Sequence, residues 1–211
     1  MDFQLTHTVR NAVIALLMQK GVGKFLYAST YSLKKTRVEP WHDMAVLDPI
    51  VLPLLSTESL ECIASGGQHT RVEKTMCVSR IKESRNVLDV CVCPQDAHGL
   101  VNCSRCWKCL RTALTLSVLG KLDDYRGVFD IDVYRRFENL FLIEVIHSND
   151  YFLAEIADLI SRTGFRVPRA VRVLAMVVPR RISSRMSRRI IPVLARTDQR
   201  LVRMMNRMLA A

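Results

Sequence analysis

Acid is nearly missing from the last quarter of this 211-residue chain. Beyond residue 162 there are twelve arginines, no lysine and a single carboxylate, Asp198. No aromatic residue follows Phe165, so that stretch lacks the rings that stack on bases and the Trp anchors of a membrane interface. Long apolar runs are lacking too. The longest, residues 12–18 and 173–178, fall well short of the roughly 18 residues that read as a membrane span, which excludes a helical membrane-spanning class. The first twenty residues carry Asp2 and no short apolar core followed by a small-residue cleavage site, so a secretory signal is not supported. Clustered cysteines without an export signal point to a reducing cytoplasm, where thiols bind metal rather than pair.

What is present is enough for a real core, with 49% of residues hydrophobic. The net charge of +11 is unevenly placed. Residues 1–162 hold 19 Lys plus Arg against 19 Asp plus Glu, so the whole excess belongs to residues 163–211. That is a change of segment type.

Taken in order, Thr6 and Thr8 offer N-caps to an amphipathic helix over residues 9–20, closed by Gly21. Residues 24–30 read as a short buried strand. Asp48-Pro and Leu52-Pro interrupt the next apolar stretch, which predicts one short helix over 44–55 with irregular ends. A second strand is expected over 59–64. Gly66-Gly67 then turns the chain into a helix near Thr70, where Thr70-x-x-Glu73 has the spacing of a capping box. Residues 86–93 read as a third strand, 94–102 as a loop, and 107–119 as a helix ended by Gly120. Two helices are expected near 132–147 and 149–162, the second closed by Gly164. Alternating strands and helices over residues 1–120 favour an α/β layer with parallel pairing, followed by an all-helical region. No internal repeat is present.

The chemistry-bearing stretch is 91–109, CVCPQDAHGLVNCSRCWKC, which holds five of the seven cysteines. Cys103, Cys106 and Cys109 are spaced as Cys-x2-Cys-x2-Cys. Four thiolates converging on one ion make a closed tetrahedral zinc site, which is structural because no position is left for substrate. The fourth ligand is Cys91 or Cys93, which share one side of an extended segment. A redox pair would need only two cysteines at a helix start, and His98 is a lesser alternative ligand.

LPLLSTESL, SGGQHTRVEKT, LDVCV and NCSRCWKCLRTALTLSVLGKLD together resemble the C-terminal half of PP-loop ATP pyrophosphatase-like proteins, in the pattern of 7-cyano-7-deazaguanine synthase and its uncharacterised bacterial relatives. RVEKT matches the helix start, LDVC the strand and CSRCWKC the knuckle, over about residues 1–130. The resemblance favours Cys91 as first ligand, while the loop length fits Cys93 equally well. It implies an adenine nucleotide α-hydrolase-like parallel sheet that uses ATP and Mg2+ to adenylate a small carboxylate and release pyrophosphate. Such chemistry needs a glycine-rich loop whose N–H groups hold the phosphates. Ser65-Gly66-Gly67-Gln68-His69-Thr70 lacks the Asp-Ser ending of that loop and is rejected. The resemblance places the true loop upstream of the segment matching residues 1–60. The expectation is therefore the C-terminal part of a longer enzyme, or a shortened relative that does not cleave ATP alone.

Expected divisions are 1–130 with the zinc knuckle, a helical extension over 131–164, and an arginine-rich helical tail over 165–211. Arg71 and Lys74, in the first turn of the 70s helix, suit an anionic ligand such as a nucleotide phosphate, or else a solvated basic face. Arg111, just past the knuckle with Thr112, suits a nucleotide site or a brace for the zinc loop. Glu73 reads as a cap rather than a base, and His42 beside Asp43 as plain loop ahead of a polar pair near a pocket. Pro168, Pro179 and Pro192 divide the tail into short helical pieces. The last, residues 193–209, sets Arg196, Arg200, Arg203 and Arg207 on one stripe and Leu194, Leu201, Met204 and Met208 on another. A basic amphipathic helix of this kind lies on an anionic membrane, follows the phosphates of RNA, packs on an acidic partner protein, or docks on its own domain. Two functional classes follow: the zinc-bearing part of an adenylating enzyme, or a non-catalytic zinc-stabilised α/β module with a polyanion-binding tail.

Overall fold

The computed structural model describes residues 2–194 apart from 98, 184 and 185. The chain divides into two compact units, Met1–Lys74 and Thr75–Ala211. The divide falls inside the block expected as one domain.

In the first unit, β1 (Lys24–Ala28) pairs in parallel with β2 (Glu61–Ser65), with Leu26 opposite Ile63. Parallel neighbours need a crossover. Here it contains a 3-10 turn, Met44–Leu47, running into α2 (Asp48–Leu54). Asp43 starts that turn by accepting the Ala45 N–H at 3.0 Å. α1 (His7–Leu17) lays Ala12 and Ala15 against Leu52, Leu60 and Cys62, a small core whose closeness depends on the two alanines. Thr6 stands at the α1 N-cap, but its hydroxyl donates to the Asp2 carbonyl instead of capping. The Thr8 hydroxyl is likewise committed elsewhere, donating to Asp48 at 2.7 Å. Neither threonine caps the helix as expected.

α3 (Arg71–Val78) begins with the expected reciprocal box. The Glu73 N–H donates to Thr70 Oγ1 at 3.2 Å, and the Thr70 N–H donates to Glu73 Oε2 at 2.7 Å.

The predicted third strand over 86–93 does not form. The helical turn α4 (Ser84–Val87) occupies its start. Beyond it the backbone is served by one side chain rather than by a ladder. Asn102 Oδ1 accepts the Val90 N–H at 3.0 Å, and Asn102 Nδ2 donates to Leu88 O at 2.7 Å and Val128 O at 3.1 Å. A run of alternating apolar residues carries strand propensity, but a strand also needs a neighbour. Asn102 itself makes only an isolated parallel bridge to Phe129. Strand content among the described residues is therefore the β1–β2 pair.

Helices build the rest of the second unit: α5 (Trp107–Val118), α6 (Ile131–His147), α7 (Tyr151–Thr163), α8 (Arg169–Val177), α9 (Arg180–Ser183) and α10 (Ile191–Leu194), with a π turn over Met186–Ile190. Asp130 caps α6 through the Val133 N–H, and Asp150 caps α7 through Phe152 and Leu153. Gly120 and Gly164 end α5 and α7 at φ of +65° and +67°, the left-handed region that glycine enters without steric cost. α5 packs on α6 and α7, and α6 on α8, α9 and the π turn. Leu110, Leu114, Tyr125, Phe129, Tyr134, Phe141 and Ile156 fill the core.

Val171, Ala175, Met186 and Ile191 are buried in it as well. The described part of the arginine-rich segment is thus docked on its own unit, with Arg169, Arg172, Arg180 and Arg181 exposed. Pro168 and Pro179 precede helices as expected. Pro192 instead lies within the helical run that the π turn and α10 form together. The stripe expected over 193–209 lies outside the described residues beyond Leu194. No described helix is long and apolar enough to cross a membrane.

Candidate metal centre

α5 delivers Cys109 in its first turn, with Cys106 at its N-cap. The preceding turn, Cys103–Cys106, reverses through Ser104, whose φ of +59° is unusual for a non-glycine residue. Hydrogen bonds hold it there: the Asp130 N–H donates to Ser104 Oγ at 2.8 Å, and Ser104 is fully buried. Asn102, one residue before the triplet, ties the incoming 88–91 segment to the same place. Arg105 adds an ion pair with Asp96, at 3.1 Å, across the loop.

The outcome is a tight sulfur group. The Sγ atoms of Cys91, Cys103, Cys106 and Cys109 all lie within 4.8 Å of one another, close enough to hold a metal ion. Cys103 Sγ and Cys109 Sγ are 3.9 Å apart. Three of the four cysteines are buried and Cys91 is half-buried. Backbone N–H groups already point at the sulfurs: Cys93 and Cys103 donate to Cys91 Sγ at 3.3 and 3.4 Å, and Cys106 donates to Cys103 Sγ at 3.3 Å. N–H donors of this kind favour the thiolate over the thiol. Its sulfur neighbours Cys103 and Cys109 hold the Cys106 thiol far below its usual pKa range. The same proximity pushes Cys103 up to about 12, and Cys109 upward as well.

Cys93 is not part of the group. Its N–H serves Cys91, while burial and then the charge of Cys106 raise its own thiol pKa. His98, the lesser alternative, lies outside the described residues.

The three basic residues expected at a nucleotide site are placed differently. Arg71 and Lys74 belong to the first unit and Arg111 to the second. Arg71 donates to Thr30 O at 3.1 Å, and Lys74 Nζ donates to Ser29 O at 2.6 Å and Ser29 Oγ at 2.7 Å. Both fasten α3 to the chain leaving β1. Arg111 is buried, with its guanidinium carbon 5.1 Å from the Trp107 ring centroid and 4.5 Å from that of Phe152. In the Gly66-Gly67 turn, the His69 N–H goes to Gly66 O, the Thr70 N–H goes to Glu73, and Gly67 O accepts from Leu33. The Thr70 bond also holds the Glu73 carboxyl below its ordinary range.

Two functional-looking features escaped the sequence reading. Asn102 is one; the only signal for it was its position beside Cys103. The other is a polar network around His7. Its Nε2 lies 3.0 Å from Asp43 Oδ1 and its Nδ1 3.0 Å from Tyr27 Oη, and Tyr31 donates to Asp43 Oδ2 at 3.3 Å. Asp43 is thus a polar partner as its loop position allowed, but of His7 rather than of exposed His42. No protein-family model matches the chain, and neither a curated protein nor a solved structure matches it.

Proposed function

We propose that this chain is a zinc-stabilised α/β module whose arginine-rich second unit binds a polyanion. The observation that carries the reading is the group of four sulfurs within 4.8 Å. An all-thiolate set of this size suits Zn2+, and four protein ligands leave no open position, so the ion's part is to fasten the fold. Cys91, Cys103, Cys106 and Cys109 are its ligands. Asn102 and Ser104 orient the backbone that carries them, and α5 gains a fixed N-terminus.

The test is elemental analysis of purified protein. About one zinc per chain is expected, kept by Cys93→Ser and lost by Cys106→Ser with a fall in melting temperature. Zinc-free protein of unchanged thermal stability would end this reading.

A second reading is favoured by the parallel β1–β2 pair together with a cysteine knuckle opening a helix. In it the chain is the zinc-bearing part of a PP-loop ATP pyrophosphatase-like enzyme that adenylates a small carboxylate, completed by a phosphate loop from elsewhere. The loop amides at His69 and Thr70 are already bonded, so Gly66-Gly67 makes a poor substitute. This chain alone is expected to release no pyrophosphate from ATP and Mg2+. Release that Gly66→Ala abolishes would restore Ser65–Thr70 as the phosphate loop.

A further inference from the structure

A cavity of about 370 Å³ opens in the second unit, lined by Trp107 and Arg111 of α5, Glu144 of α6, the start of α7, and Ser187, Arg188 and Arg189 of the π turn. It lies within the size range of small-molecule sites. Three arginines therefore line one concave surface. Arg111 is held between the rings of Trp107 and Phe152, and the guanidinium carbon of Arg188 lies 4.9 Å from the Trp107 centroid. Stacking of this kind fixes a planar fork and spares the entropy of ordering it at the moment of binding.

Two carboxylates share the lining, and both have donors of their own. Glu144 Oε2 accepts the Ser187 N–H at 2.6 Å and Oε1 the Ser187 hydroxyl at 3.0 Å, with the Arg188 charge nearby. Asp150 Oδ1 accepts two N–H groups of the α7 first turn. Burial raises the Glu144 pKa, against the pull of the Ser187 donors and the Arg188 charge.

We propose that this cavity binds the phosphate group of a small phosphorylated molecule. Three arginines suit a dianion better than a single carboxylate, because guanidinium forks match its oxygens in pairs. The volume exceeds what inorganic phosphate fills, leaving space for the organic part. This site is separate from the polyanion reading, which is tested on Arg169, Arg172, Arg180 and Arg181.

The test uses the full zinc-loaded chain carrying Trp41→Phe, so that Trp107 is the sole indole reporter. Ribose 5-phosphate, AMP and inorganic phosphate are titrated at physiological salt, with ribose and acetate as controls. A saturable one-to-one fluorescence change is expected with the phosphorylated compounds and none with ribose. Arg188→Gln and Arg189→Gln should each weaken it about tenfold, the scale of one charge-assisted hydrogen bond, without moving the melting temperature of ligand-free protein. Arg111→Lys tests the stacked fork, with the π-turn pair standing in if that variant does not fold. The proposal is overturned if no phosphorylated compound gives a saturable response, or if the response survives both π-turn substitutions unchanged. Retention on heparin is read in parallel. Its loss with phosphate-monoester binding intact sinks only the polyanion reading.

Discussion

Asp48 is a fully buried carboxylate whose Oδ1 accepts from Thr8, while its Oδ2 has no hydrogen-bond partner. Burial is the main reason its pKa rises from 3.8 to about 6, with Thr8 and His7 pulling the other way. The folded state therefore keeps the proton to higher pH than the unfolded chain does. The stability from this site is complete below pH 3.8 and lost as pH rises through about 6, amounting to about 3 kcal/mol by pH 7. Asp48→Asn keeps the acceptor for Thr8 and removes the charge. It is expected to be the more stable protein at pH 7.5, with the advantage shrinking towards pH 4, in urea unfolding followed across that range. Identical pH profiles for both proteins would show that Asp48 stays ionised in the fold. None of this was legible in the sequence, since Asp48 reads there only as the residue before a proline. The cysteine triplet was legible because its spacing is chemistry within one turn. The choice of Cys91 over Cys93 was not, because it depends on how Asn102 holds the segment that carries them.

At the scale of elements, the same asparagine decides what residues 88–93 become. Removing its fully buried side chain leaves Val90 N–H, Leu88 O and one bond to Val128 O unserved, the first two in a half-buried place. Asn102→Ala should cost about 2–4 kcal/mol, from three broken bonds at roughly 0.5–1.5 kcal/mol each. It should also weaken zinc retention against a chelator, because the first ligand loses its tether. Chelator resistance equal to wild type would mean that the metal alone positions Cys91. Helices α5, α6 and α7 were readable to within two residues of their bounds from apolar periodicity and closing glycines, which are local signals. The third strand failed since pairing is not local: NVLDVCVC has the right residues and no neighbouring strand to use them. The α1 caps failed for a related reason, as Thr8 is drawn to Asp48, forty residues away.

At the scale of the molecule, the uneven charge has a measurable consequence. Arg169, Arg172, Arg180 and Arg181 are exposed on a surface to which the described tail contributes no acid. Retention on heparin should fall steeply with salt, and changing all four to Gln should reduce the slope of log affinity against log salt. On duplex DNA the reduction should approach about 0.9 for each phosphate that is no longer neutralised. A slope unmoved by the four substitutions would assign the binding to other arginines. Composition alone located this charge, but not that Val171, Ala175, Met186 and Ile191 tether it to the helical core.

The crowding of the sulfurs reaches beyond metal affinity. None of the seven cysteines is in a disulfide, and Cys103 Sγ and Cys109 Sγ stand 3.9 Å apart. An emptied site thus faces a race between refilling and oxidation, because neighbouring thiols cross-link through a sulfenic acid. Oxidation would win in air and leave a chain that zinc no longer rescues. Metal-stripped protein treated with diamide should refuse zinc until a dithiol reductant is added, whereas loaded protein should keep its zinc through the same treatment. The history of a sample, rather than its sequence, would then set how much of it is folded.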